Sequence, residues 1–284
     1  MFNTPKEIAE NYVATGVAKT KLPISKMLML GFLAGMFIAL ASVGQTFVSA
    51  SLSGSWSRFT SAFVFPAGLA MVLIAGSELF TGNNLIIISV LQKEAKAAAM
   101  LKNWFFVYIG NFIGSIVTAL IFAYGGVGSF YNNEIAISVI EIAVAKTSLS
   151  FGDALLRGIL CNFLVCIAVW MSFAAKDIAG KFLALFMPIW LFVIAAFEHS
   201  IANMYYIPAG LFALNNINYR VAFIEEYGAG SLLELSWGTL WSRNLIPVTI
   251  GNLIGGVVLV GMVYWFIYLR DTGKKTVAGG KKKK

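Results

Sequence analysis

Glu78-Leu79-Phe80-Thr81-Gly82-Asn83 and Glu198-His199-Ser200-Ile201-Ala202-Asn203 are two polar runs, each set inside a long apolar block and each of the form E-x-x-x-x-N. A second shared element follows each of them. Gly110-Asn111-Phe112-Ile113-Gly114 comes after the first run and Gly251-Asn252-Leu253-Ile254-Gly255 after the second. Either short match alone is weak evidence. Their identical order in the two halves marks an internal repeat.

Working outward, the apolar residues around these runs fall into six blocks: roughly 27–51, 63–91, 104–125, 154–175, 182–211 and 245–269. Each reaches the about 20 residues that cross a bilayer as a helix. Overall 59% of the 284 residues are apolar and 12% charged, against about 25% charged in an ordinary soluble domain. The fold expected is therefore an all-α membrane protein with six transmembrane helices. The chain opens on the polar stretch Asn3–Lys26, so no cleavable signal peptide is expected and the first block is read as a span.

The second and fifth blocks are too long to be simple spans. About 29 residues would extend roughly 44 Å as a straight helix, against about 30 Å of hydrocarbon. The polar runs, with Pro188 and Pro208 on either side of the second, predict breaks in both. Irregular backbone survives at membrane depth only where it is buried in protein or lines a cavity. Three spans per half is an odd number, so the second half is predicted to sit upside down relative to the first. Inverted halves with one broken helix each are a transporter pattern, with the site near the midplane.

Charge placement sets the expected orientation and argues against nucleic acid as the reason for the net charge of +8. With the N-terminus inside, sixteen of the 21 Lys and Arg residues lie in the segments on that side. Only Arg58, Lys146, Arg157, Arg220 and Arg243 fall elsewhere. The positive-inside rule then predicts a multi-pass protein of the cell (inner or plasma) membrane with both termini cytoplasmic. Residues 1–26 are expected to form a cytoplasmic N-terminal segment, 27–270 the membrane domain, and 271–284 a disordered basic tail. Within the first segment, Thr4 as N-cap, Pro5 and Glu7 form a capping-box pattern for a helix over Thr4–Lys21. Its Ile8 and Tyr12 are expected at the membrane surface; the sharper alternative is a lid over a pore.

Few residues can carry chemistry. Glu78, Glu198 and His199 are the ionisable groups near block centres, where a charge costs a few kcal/mol to insert and a role is the default. His199 is the one histidine in the chain, which excludes every multi-histidine zinc site, H-E-x-x-H included. What remains is a proton donor or a hydrogen-bond donor to a passing anion. For the glutamates the preferred reading is structural: a carboxylate that caps the N–H groups a helix break leaves unpaired. Asn111 and Asn252 either face the pore or bridge packed helices. Cys161 and Cys166 lie about 140° apart around a helix, which suits neither a disulfide nor a shared metal. An intramembrane hydrolase using Ser200 or Ser77 with His199 lacks a convincing third member: Asp153 lies at a span end, and Ser200 is adjacent to the histidine in the chain.

Together these residues resemble the formate/nitrite transporter family, over nearly the whole chain. The most specific element is the run Glu198–Met204, which looks like that family's E-H-S-x-A-N-M signature; the Glu78–Asn83 loop and Lys146 also match. The resemblance implies an aquaporin-like protomer, a homopentamer with a pore in each subunit, and no cofactor, metal or enzymatic activity. It implies that Leu69 and Phe192, with Phe65, narrow the outer half of the pore, and that Leu79, Phe80 and Thr81 form the cytoplasmic-side slit. Asn162 and Asn252 are placed with the pore residues, and Glu78, Glu198, Asn83, Asn203 and Asn111 with their support. A Leu- and Phe-lined pore would strongly disfavour a bare carboxylate. Lys146 is therefore expected to concentrate anions at the mouth, and His199 and Thr81 to hydrogen-bond them at the narrow point, where a transferred proton would neutralise them. The expected solute is a small monovalent anion, formate first, with nitrite and hydrosulfide as alternatives.

Overall fold

A computed structural model describes residues 2–52 and 54–270. The expectation of a disordered tail over 271–284 lies outside the described residues. Helices account for most of the described backbone, and no strand occurs among the described residues. Five helices are long and apolar enough to cross a membrane: α2 (Ile24–Ser51), α3 (Gly54–Gly76), α5 (Ala97–Tyr124), α7 (Phe151–Ser172) and α11 (Trp237–Tyr268). The others are α1 (Pro5–Thr20), α4 (Phe80–Leu91), α6 (Glu134–Thr147), α8 (Ile178–Ile194), α9 (Ser200–Ala213) and α10 (Ile217–Tyr227).

The second apolar block is thus α3 and α4, separated at Ser77–Leu79, and the fifth is α8 and α9, separated at Ala195–His199. Both blocks begin earlier than hydropathy placed them, at Gly54 and Ile178. Helix geometry carries on into polar residues wherever a neighbouring helix supplies packing. The stretch between the third and fourth apolar blocks holds the 14-residue helix α6.

Two helix pairs form the frame. α5 lies on α2, and α11 lies on α7. In each pair the contact is so close that a Cβ added to Gly114 would strike the Phe32 carbonyl oxygen, and one added to Gly255 the Ile159 carbonyl oxygen. Small residues allow this approach, which brings backbone dipoles and side-chain amides within reach of both breaks. Large apolar side chains such as Met29, Phe105, Ile121 and Leu183 are exposed on the outside, as an apolar solvent allows.

α1 begins as its capping box predicts: Thr4 Oγ1 accepts from Glu7 N, and Glu7 Oε2 accepts from Thr4 N at 2.7 Å. Its apolar face does not turn to lipid. Ile8 and Tyr12 are buried against the protein, with the Tyr12 ring 5.1 Å from that of Phe173 and its hydroxyl donating to the Gly82 carbonyl at 3.1 Å. The surface-helix expectation is corrected accordingly. Pairing with a buried carbonyl at the start of α4 gives the tyrosine a polar partner that a lipid surface lacks.

Candidate functional site at two facing helix breaks

The two breaks are built alike in their backbone turns and asparagine contacts. α3 ends at Gly76 (φ 85°) and α8 is followed by Ala196 (φ 54°), both left-handed. The chain then runs extended into a new helix, whose first N–H groups have no carbonyl a turn behind them. The Phe80 N–H donates to Asn111 Oδ1 at 3.0 Å. The Ser200 N–H donates to Asn252 Oδ1 at 3.0 Å. The same asparagines use their NH2 groups to tie the incoming extended segment to the frame: Asn111 donates to the carbonyls of Gly31 (2.8 Å) and Glu78 (2.9 Å), Asn252 to those of Gly158 (2.8 Å) and Glu198 (3.0 Å).

The glutamates therefore do not cap the breaks, contrary to the reading from sequence. A neutral amide both accepts and donates, so it serves the helix N–H, a carbonyl of the break and a carbonyl of the frame helix at once; a carboxylate can only accept. The glutamates instead anchor lysines. Glu78 accepts from Lys19 Nζ at 2.6 Å and Asn83 Nδ2 at 2.7 Å. Glu198 accepts from Lys146 Nζ at 3.0 Å and Asn203 Nδ2 at 2.6 Å. A further asparagine closes each network. Asn103 accepts from Asn83 (2.9 Å) and donates to the Lys19 carbonyl (3.1 Å), while Asn244 accepts from Asn203 (2.7 Å) and donates to the Lys146 carbonyl (3.0 Å).

Sequence reasoning missed Lys19, Asn103 and Asn244. The signal was present: Asn103 and Asn244 are separated by the same interval as Asn111 and Asn252, and Lys19 and Lys146 by the same interval as Gly31 and Gly158. Lys146 is also not the free mouth charge that was expected. It sits in the last turn of α6, only 17% exposed, paired with Glu198 and 5.3 Å above the Tyr206 ring.

Each network lines its own cavity. One of about 700 Å³, on the side of α1, is bordered by Tyr12, Lys19, Leu69, Val72, Glu78 and Leu79. The other, of about 440 Å³, is bordered by Phe65, Lys146, Phe192, Glu198, His199 and Tyr206. Between them the two breaks meet at one polar contact, Thr81 Oγ1 to His199 Nε2 at 3.0 Å, with both residues buried. Aromatic rings frame it. Phe192 stacks on the imidazole at 5.9 Å, and Phe65 meets Phe192 edge-on at 5.5 Å.

The tautomer of His199 follows from its other nitrogen. The backbone N–H of Ala202 donates to Nδ1 at 3.1 Å, the imidazole serving as N-cap of α9. Nδ1 is therefore unprotonated, the neutral ring carries its hydrogen on Nε2, and Nε2–H donates to Thr81. Neither Ser77 nor Ser200 bonds to His199; both hydroxyls are buried without a partner among the described residues. The hydrolase reading thus lacks a nucleophile–base contact.

Several expected pore residues lie elsewhere. Leu69 borders the cavity on the α1 side, whereas Phe65 and Phe192 border the other, since one helical turn of α3 carries the chain through the septum. Phe80 points away from both cavities and packs edge-on against Tyr108 at 4.9 Å. Asn252 borders neither cavity, because its amide is engaged at the break. Nor does Asn162, which donates to Asn84 Oδ1 (2.7 Å) and to the carbonyls of Asn252 (2.7 Å) and Thr81 (3.3 Å).

Comparison with known proteins agrees with this architecture. The family profile described as Formate/nitrite transporter matches residues 6–266. The chain is 39% identical to the uncharacterized transporter YrhG of Bacillus subtilis (strain 168), covering 96% of this chain and 97% of that one. It is 33% identical to the formate channel FocA of Escherichia coli (strain K12), over 94% and 95% of the two chains. Among solved structures, a pentameric formate channel with formate bound superposes with a TM-score of 0.77 at 32% identity, covering 87% of this chain and 98% of that one.

Proposed function

This chain is an integral multi-pass membrane protein of the formate/nitrite transporter family, and from that membership we infer that it conducts small monovalent anions, formate first, through a pore in each subunit of a homopentamer. In this reading six spans form two inverted halves within residues 27–270, α3–α4 and α8–α9 each making one broken span. Residues 1–26 form a cytoplasmic cap on the α1-side cavity, and the Lys146 cavity opens outside. The orientation rests on the sixteen basic residues gathered on the side of the termini.

The observation that carries the reading is the septum. His199 borders the cavity of about 440 Å³, Leu79 and Gly82 on either side of Thr81 border the one of about 700 Å³, and Thr81, which borders neither, bonds to His199 between them. An anion at that point replaces Thr81 as acceptor for Nε2–H, while the Thr81 hydroxyl turns to donate as well. The Phe65, Phe192 and Leu69 side chains exclude water, so only a solute small enough to exchange hydrogen bonds one at a time passes. His199 acts here as a hydrogen-bond donor. To give up a proton outright it would first have to be protonated at Nδ1, which breaks its bond to Ala202. A proton that accompanies the anion therefore comes from water in a cavity.

Proteoliposome flux of formate, nitrite and hydrosulfide at two pH values tests the proposal. Flux of at least one of the three well above empty vesicles is expected; flux no faster than empty vesicles for all three would overturn it.

A further inference from the structure

Five basic residues depart from the charge asymmetry that orients the chain: Arg58, Lys146, Arg157, Arg220 and Arg243. Three have their charge or donor group engaged. Arg243 pairs with Glu234 at 3.1 Å, the Arg220 Nε donates to the Leu214 carbonyl at 2.9 Å, and Lys146 pairs with Glu198. Arg58 and Arg157 are exposed and make no ion pair among the described residues. Both border the same cavity of about 440 Å³, whose one acidic lining residue is Glu198, already matched by Lys146. Asp153, four residues before Arg157 on α7, is turned to Ser150, whose hydroxyl donates to it at 2.7 Å. The cavity therefore carries two uncompensated guanidiniums.

We propose that Arg58 and Arg157 form an anion-receiving site at the mouth of this cavity, selective for a planar, two-oxygen anion over a single-atom one. A guanidinium presents parallel N–H groups that match the two oxygens of formate or nitrite, whereas hydrosulfide offers one acceptor atom and gains only from the charge. The placement leads inward. Arg58, Ser61 and Phe65 recur at three and four residues along α3, which puts them on one stripe running from the mouth to the septum, and all three border the cavity. Arg157 is held beside the second break by its own main chain, its carbonyl accepting from the Glu198 N–H at 3.4 Å. An anion released by the arginines thus passes Ser61, whose hydroxyl donates to the Arg58 carbonyl at 3.2 Å, before it reaches the aromatic frame of His199.

This inference rests on the channel reading and names which of its candidate anions the mouth favours. Two double variants test it, Arg58→Gln with Arg157→Gln and Arg58→Lys with Arg157→Lys, in proteoliposomes at fixed ionic strength. The glutamine variant should raise the half-saturation concentration for formate and nitrite about fivefold or more and that for hydrosulfide by a clearly smaller factor, since hydrosulfide loses only the attraction of the charge. The lysine variant, which keeps the charge and loses the fork, should also raise the formate value. Unchanged formate saturation in the glutamine variant would overturn the site. Equal weakening of formate and hydrosulfide would overturn its selectivity, leaving steering by charge alone. Formate-dependent thermal stabilisation of the purified protein supplies a readout independent of flux. It should be weaker in both variants than in the wild type, and this measurement still decides the site if wild-type vesicles carry no flux and the channel reading itself fails.

Discussion

His199 Nδ1 accepts from the backbone N–H of Ala202 at 3.1 Å, so the side chain that faces the septum is also the N-cap of the helix that leaves it. The two roles use different nitrogens. Capping occupies Nδ1 and thereby fixes the hydrogen on Nε2, where it points at Thr81.

Replacing His199 separates the roles. Asparagine is a good N-cap and its oxygen can accept from Ala202, but its amide is too short to reach Thr81. His199→Asn should keep assembly and thermal stability close to wild type while lowering formate flux about tenfold, the equivalent of one hydrogen bond to a charged group. The pH profile of the residual flux should keep its shape. A profile that shifts on this substitution would show that the imidazole titrates during transport and would sink the donor-only role.

Lys146 and Glu198 should behave as a pair. Removing one partner of a buried ion pair typically costs about 3–5 kcal/mol, because the other charge is left uncompensated; the 17% exposure of Lys146 reduces that figure. Lys146→Met should destabilise the protein and lower anion flux by leaving the Glu198 carboxylate bare in the cavity. Adding Glu198→Gln should restore part of both. Additive losses of stability and flux in the double variant would show that the lysine acts independently of the glutamate.

Asn111 and Asn252 each serve three backbone groups at a break. Substitution by leucine leaves one N–H and two carbonyls without that partner, at about 1–3 kcal/mol for each buried group left unsatisfied. Thermal unfolding of Asn111→Leu and of Asn252→Leu should therefore show the largest losses among single substitutions at the site, several kcal/mol each. Glu78→Gln, which keeps one acceptor oxygen, the side-chain shape and a neutral partner for the partly exposed Lys19, should cost less. The reverse order would return the capping role to the carboxylates.

Gly76 and Ala196 occupy equivalent left-handed positions, with φ of 85° and 54°. An L side chain there costs about 1–2 kcal/mol, and a Cβ on Gly76 would meet nothing within 4 Å, so the conformation alone sets the cost. Gly76→Ala should lower stability by about 1 kcal/mol, and Ala196→Gly should leave it unchanged or raise it by less, since glycine also gains freedom in the unfolded chain. Measured unfolding midpoints that move in the same direction for both substitutions would contradict this.

The sequence by itself determined the membrane class, the two breaks and the internal repeat. Block length, the position of polar runs inside apolar blocks and the matching of short motifs are properties of the chain read in order. The resemblance carried by Glu198–Met204 belongs there too, as does the singling out of Glu78, Glu198, His199 and Asn111. What only the tertiary structure decided is which atom meets which. Asn111 rather than Glu78 caps the first break, Lys146 is matched by Glu198, Phe80 packs on Tyr108, and Leu69 and Phe192 border different cavities. The asparagine caps and the Phe80–Tyr108 contact depend on how α5 seats on α2, and α11 on α7, through glycine contacts between helices far apart in the chain. Periodicity shows which face of a helix is apolar. Only the seating of one helix on another decides which amide, carboxylate or ammonium ends up within 3 Å of a partner, because hydrogen bonding falls off within an ångström and helix packing sets that distance.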